Sequence, residues 1–168
     1  MVKYIFDLDY TLYSSNDVID DTTSIEFYNS FKPKYFMNHL LEQLNGNNYI
    51  FTNGNFEHAM TVVKKMNLAT NFKDILSRDM VNENLKPDPH VYNEAIKKFK
   101  IRKNETVYFF EDSIENLISA KQFFNWTTVL IDPKYKGKKD EFLDYVFPTI
   151  EEALLFFVVK QKFDSDFN

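Results

Sequence analysis

Apolar positions along the chain fall into two alternating patterns. Short β-branched or aromatic runs read as strands at residues 3–6, 48–51, 106–110 and 127–131, with a weaker one at 74–77. Between them lie longer stretches with apolar residues at helical spacing, at 36–44, 56–66, 89–99 and 114–124. In the second of these, Ala59, Val62, Val63 and Met66 share one helix face. A final helix opens at Thr149 with Glu152 placed for a capping box, and is expected to fray from about Lys160. Strands alternating with helices of about ten residues predict βαβ units. The expected fold is α/β, a Rossmann-like three-layer α/β/α arrangement around a mostly parallel sheet of about five strands. One domain over residues 1–160 and a tail at 161–168 are expected, with no repeat, linker or low-complexity segment.

The first strand ends in chemistry. Asp7 and Asp9 follow its apolar run, and Thr11 follows them. Side chains at i and i+2 of an extended chain point the same way, so the two carboxylates are expected to converge just beyond the strand. That arrangement suits a hard cation and a phosphate. In open α/β sheets ligands gather outside the carboxyl ends of the strands. The other strand ends are polar too: Thr52, Asn53 and Gly54 after the second strand, and Glu111, Asp112 and Ser113 after the strand at 106–110. Lys86-Pro87-Asp88 precedes the helix at Pro89.

Each of these has a plainer reading alone. An Asp after a strand forms turns, 112–115 reads as a capping box, and Asp88-Pro89 reads as an N-cap with proline at the first helical position. Residues 52–55 read as a turn and cap, and a lone lysine as a solvated side chain. Together, at successive strand–helix junctions, they supply what metal-assisted phosphoryl transfer needs. Mg²⁺ takes carboxylate, carbonyl and water oxygens and bridges to phosphate. Asp7 is placed to attack phosphorus, and Asp9 to protonate the leaving alkoxide and then activate water. Lys86 neutralises charge on Asp7 and the phosphoryl group. The Thr52 hydroxyl and the backbone N–H groups that follow bind phosphoryl oxygens.

Composition narrows this further. With 168 residues, 44% of them hydrophobic, the chain is long enough for a real core, and its 18 Phe make that core phenylalanine-rich. Only 3 Gly occur, so glycine-rich phosphate loops are excluded and side chains, helix N-termini and metal must hold any phosphate. The absence of Cys removes disulfides and thiolate catalysis. A formal net charge of −5 argues against a dedicated nucleic-acid binder. No leader pattern is seen, and the apolar run at 153–159 falls short of the ~18 residues of a membrane span. A cytoplasmic protein without membrane partners is expected. The basic cluster at 134–139 reads as a solvated loop.

The motifs in order resemble the haloacid dehalogenase superfamily: Asp7-Leu8-Asp9-Tyr10-Thr11, then Thr52-Asn53, then Lys86-Pro87-Asp88-Pro89, then Glu111-Asp112-Ser113 with Asn116 beyond. The similarity covers about Lys3 to Glu152, and 144–148 resembles the last short strand of that fold. The resemblance implies Asp7 as nucleophile, Asp9 as general acid/base, Lys86 as charge clamp, and Thr52, Asn53 and Gly54 around the phosphoryl group. It implies Mg²⁺ held by the Asp7 carboxylate, the Asp9 backbone carbonyl and Asp112, with Thr11, Ser113 and Asn116 behind them. Glu111 stands where many members have Gly and some a second acid; it reads either as an outer-sphere ligand or as tolerated. Members with an acid at the Asp9 position are typically phosphatases or phosphotransferases, whereas dehalogenases do not need one.

Only about forty residues separate Thr11 from Thr52, with at most a short helix at 22–30. Residues 12–36 are therefore expected to be a vestigial cap or loop, and the site to be open. The expected substrate is a phosphorylated small molecule, a nucleotide or sugar phosphate, and an open site also admits a macromolecular phosphosubstrate. Two kinships compete, with capless magnesium-dependent phosphatases and with the pyrimidine 5′-nucleotidase and phosphoglycolate-phosphatase branch. Tyr10, Tyr13 and Phe56 near the mouth read as base-stacking rings or as packing. A non-catalytic phospho-binding scaffold and a polynucleotide end-phosphatase remain as alternatives. Oligomeric state and closure of the site by a partner subunit are left open.

Overall fold

The computed structural model of the chain describes residues 1–19, 24–81, 84–137 and 141–166. Its centre is a sheet of six strands, all parallel: β1 (Val2–Phe6), β2 (Asn47–Phe51), β3 (Asp74–Leu76), β4 (Thr106–Glu111), β5 (Thr127–Ile131) and β6 (Tyr145–Phe147). The spatial order is β3-β2-β1-β4-β5-β6. The chain first winds outward from β1 to β3, then crosses back to β4 and winds the other way. The reversal lies between β1 and β4, where open α/β sheets form their ligand crevice.

Among the described residues six α-helices cover the sheet: α1 (Ile25–Ser30), α2 (Tyr35–Gln43), α3 (Phe56–Lys65), α4 (Pro89–Lys98), α5 (Ile114–Phe124) and α6 (Ile150–Asp166). Period-two alternation divides each strand between two cores. Tyr4, Phe6, Ile50, Phe110, Val129 and Ile131 face the layer built by α1, α2, α3 and α6. Ile5, Tyr49, Phe51, Val107, Phe109 and Leu130 face the layer built by α4 and α5. Both layers are rich in aromatic rings, as the phenylalanine content predicts. Across the central pair, Phe6 stacks on Phe110 with centroids 4.5 Å apart; such a contact adds roughly 0.5–1.5 kcal/mol beyond the area it buries.

The helix starts follow local chemistry. Asp88 accepts the His90 N–H at 2.8 Å with Pro89 as the first helical residue, and Thr149 caps α6 through the Glu152 N–H. At α5 the N-cap Ser113 makes no side-chain cap bond, which counts against the plainer reading of 112–115 as a capping box.

The sixth strand is 145–147, the last short strand that 144–148 resembles, and it pairs with β5. One further expectation is corrected. The last helix does not fray at Lys160, and residues 161–166 continue it to Asp166 instead of forming a tail. A Lys160–Asp164 ion pair one turn apart supports it, and Gln161 ties it to the end of α2, donating to the Gln43 carbonyl and accepting the Asn45 N–H at 2.8 Å.

Among its described residues the segment 12–36 holds the six-residue α1, capped by the Ser24 hydroxyl, and the first two residues of α2; Thr22 lies outside them. The segment is nevertheless packed. Tyr13 and Phe27 each set an edge against Phe31, at 4.8 and 5.1 Å, and all three rings are buried. Of the basic cluster at 134–139, Lys138 and Lys139 lie outside the described residues. Among the described residues no helix is long and apolar enough to cross a membrane.

Candidate active site

The parallel register sets Phe6 beside Phe110, and the Asp7 N–H continues the ladder by donating to the Phe110 carbonyl at 2.9 Å. Asp7 therefore leaves β1 alongside Glu111, the last residue of β4. Lys86 reaches between them. Its ammonium donates to Asp7 Oδ1 at 2.7 Å, to Glu111 Oε1 at 2.8 Å and to the Phe51 carbonyl at 2.7 Å. All three of its N–H groups are thus used, and the rings of Phe51 and Phe109 flank it at 4.9 and 5.4 Å.

Asn53 fixes the backbone that carries this lysine. Its side-chain amide donates to the Lys86 carbonyl and accepts the Lys86 N–H, both at 3.0 Å. The sequence placed Asn53 at the phosphoryl group; its side chain is occupied in holding Lys86. The Thr52 hydroxyl accepts the Gly54 N–H at 2.9 Å. A Cβ on Gly54 would stand 3.2 Å from Thr52 Oγ1, 3.2 Å from His58 Cδ2 and 3.4 Å from Asp9 Oδ2. A methyl group there would crowd three polar side chains.

Glu111 is 1% exposed and every oxygen has a donor. Oε1 accepts from Lys86 and from Asn116 Nδ2, and Oε2 accepts the Ser113 N–H at 2.7 Å. It is a built part of the site. Asn116 sits behind it, whereas the Ser113 hydroxyl turns away and donates to Glu115 at 3.1 Å. Thr11 links two acids, its hydroxyl lying 3.2 Å from Asp7 Oδ2 and 3.5 Å from Asp112 Oδ1.

Carboxylate oxygens of Asp7, Glu111 and Asp112 lie within 4.8 Å of one another. Lys86 pairs with two of these three carboxylates, Asp7 and Glu111. Burial and the Glu111 charge push the Asp7 carboxyl up to about 8 against the opposing pull of Lys86. Burial and Glu111 likewise push Asp112 up to about 7. An excess of hard oxygen donors and negative charge fits a divalent cation such as Mg²⁺. With the Glu111 oxygens already occupied, Asp7 and Asp112 are the side chains that would hold it.

Asp7 and Asp9 take different partners. β1 ends at Phe6, and the chain turns sharply after Asp9, with Tyr10 at φ 62°. Asp7 is buried against Lys86, while Asp9 is half-buried at the cleft. Asp9 Oδ1 lies 2.6 Å from the Tyr13 hydroxyl and 2.6 Å from His58 Nε2. Burial raises the Asp9 carboxyl, but the His58 and Tyr13 contacts outweigh it and hold the group below its ordinary value. Neither partner was singled out for this role from the sequence. Tyr13 is buried against Phe31, so it does not stack a ligand, whereas Tyr10 and Phe56 are exposed. Asp9, Tyr10, Tyr28, Gly54, His58 and Arg78 are among the residues lining a cleft of about 280 Å³.

Comparisons with known proteins agree with this architecture. No curated protein sequence matches the chain. Among solved structures, a putative β-phosphoglucomutase from Thermotoga maritima superimposes with a TM-score of 0.69 at 16% identity, covering 96% of this chain and 99% of that one. A HAD phosphatase from Thermococcus onnurineus gives 0.64 at 17%, covering 93% and 97%. A dehalogenase solved with an intermediate complex gives 0.60 at 20%, covering 79% of this chain; the chain spans only 61% of that longer protein. At these identities the likeness is one of fold. The model of the family described as haloacid dehalogenase-like hydrolase matches residues 24–129, which include Thr52, Lys86 and Asp112. That match spans well over half of the chain, which thus belongs to the haloacid dehalogenase-like hydrolase family.

Proposed function

We propose that this hydrolase is a Mg²⁺-dependent phosphatase that cleaves phosphate monoesters of small molecules through an aspartyl-phosphate on Asp7. The observation that carries this reading is the division of labour between two acids: Asp7 buried on Lys86, and Asp9 held at the cleft. Halide leaves without a proton, whereas an alkoxide needs one. An acid at the mouth favours phosphate esters over carbon–halogen bonds.

Lys86 and Thr11 hold the two oxygens of Asp7 and so fix its plane. Asp7 forms a bond to phosphorus as the ester P–O bond breaks, and Asp9, a carboxylate in the free site that first takes a proton from solvent on substrate binding, gives that proton to the leaving oxygen. Asp9 then takes a proton from water, whose oxygen attacks the phosphorus and returns Asp7 as carboxylate with free phosphate. The Thr52 hydroxyl binds a phosphoryl oxygen. When bound by Asp7, Asp112 and the Asp9 carbonyl, Mg²⁺ supplies charge neutralisation to the anionic substrate.

The test is phosphate release from p-nitrophenyl phosphate and a panel of nucleotides and sugar phosphates, with Mg²⁺ or with EDTA. Metal-dependent release that Asp7→Asn abolishes supports the reading. Absence of release, or full activity in Asp7→Asn, overturns it.

A further inference from the structure

We propose that His58 is a positioning residue for Asp9, fixing which carboxylate oxygen faces the leaving group; this rests on the phosphatase reading. Asp9 as a carboxylate only accepts hydrogen bonds, so His58 carries its proton on Nε2 and donates to Oδ1 at 2.6 Å. Nδ1 lies 3.0 Å from the Tyr28 hydroxyl. Phe27 stacks on the imidazole at 15°, with centroids 6.2 Å apart. The ring is thus held at both nitrogens and on one face.

Tyr13 donates to the same Oδ1 at 2.6 Å. Two donors from different elements, Tyr13 after β1 and His58 in the first turn of α3, pin the carboxylate against rotation. Among the described residues no hydrogen bond reaches Oδ2. That oxygen and the Thr52 hydroxyl both border the space that a Cβ on Gly54 would enter, at 3.4 and 3.2 Å. Oδ2 is therefore the oxygen left to serve the ester oxygen, next to the hydroxyl placed for the phosphoryl group. Tyr13, Phe27 and Tyr28 all come from the short stretch between the first strand and α2. The segment too small to cover the site thereby stiffens its acid.

A misaimed acid harms poor leaving groups more than good ones, because an alkoxide needs its proton and p-nitrophenolate hardly does. The experiment compares kcat/KM, which reports formation of the phosphoenzyme, for glycerol 2-phosphate and p-nitrophenyl phosphate at saturating Mg²⁺. His58→Ala is expected to lose about tenfold more on the alkyl ester than on the aryl ester. His58→Gln, whose amide nitrogen replaces Nε2, is expected to recover much of that difference. Tyr28→Phe, which leaves the core ring in place, is expected to show a smaller bias of the same sign. Equal losses on both esters in His58→Ala and in Tyr28→Phe overturn the inference while leaving the phosphatase reading intact. A wild-type protein that turns over neither ester overturns both.

Discussion

Lys86 and Glu111 form an ion pair at 2.8 Å in which both side chains are 1% exposed. The same ammonium holds Asp7 at 2.7 Å. Removing it leaves two buried carboxylates without their cation, a loss of about 3–5 kcal/mol in comparable buried pairs. Lys86→Met is expected to lower stability by about that much, measured by urea denaturation, and to abolish phosphatase activity. Glu111→Gln keeps the shape and removes one charge, so a smaller destabilisation is expected.

The acidic cluster makes stability depend on pH in a defined direction. Asp7 and Asp112 are raised to about 8 and about 7 from an ordinary value of 3.8. The folded metal-free protein therefore holds protons that the unfolded chain releases above pH 4. This contribution is full below that pH and is lost as pH rises through 7 and 8. Melting temperatures without metal should fall over that range. Mg²⁺ binds the ionised carboxylates, so the rise in melting temperature it causes should be larger at pH 8 than at pH 6. An equal rise at both would contradict the assignment of these two acids.

Asp112 is partly exposed and outside the Lys86 ion network. Asp112→Ala is expected to leave the fold intact and to raise the Mg²⁺ concentration needed for half-maximal activity by about tenfold or more. A magnesium titration of the phosphatase rate checks this.

Gly54 has ordinary backbone geometry, so alanine there tests space alone. Its methyl group would crowd Thr52, His58 and Asp9. Gly54→Ala is expected to reduce kcat by about tenfold. The change in stability should stay below about 1.5 kcal/mol. Thermal melts alongside steady-state rates separate the two effects.

Much of the site was readable because it sits at strand ends. Asp7, Thr52 and Asp112 each follow a short apolar run, and the parallel fold gathers those ends on one edge. The meaning of Glu111 was not readable: a carboxylate at the end of β4 looks optional until Lys86 and Asn116 are seen to bind it. Asn53 was assigned to the phosphoryl group because it adjoins Thr52, yet its amide spans to Lys86, thirty-three positions away. His58 offered a faint signal. It stands three residues after the N-cap Asn55, in the first turn of the helix that follows Thr52, a place that faces the crevice.

Local pattern was sufficient for the alternation of strands and helices, the two-sided core, the helix caps at Asp88 and Thr149, and the row of polar strand ends. Those features depend on side-chain periodicity and on neighbours within a few residues, which the order of amino acids contains directly. The division of roles between Asp7 and Asp9 came from elsewhere. Spacing alone gave both carboxylates one direction and named no partner for either. One acid is bound by Lys86 from before α4, and the other by Tyr13 and by His58 of α3. These partners are up to 79 positions distant. A carboxylate takes its orientation and its proton affinity from the charges and donors around it, and chain folding alone brings those together.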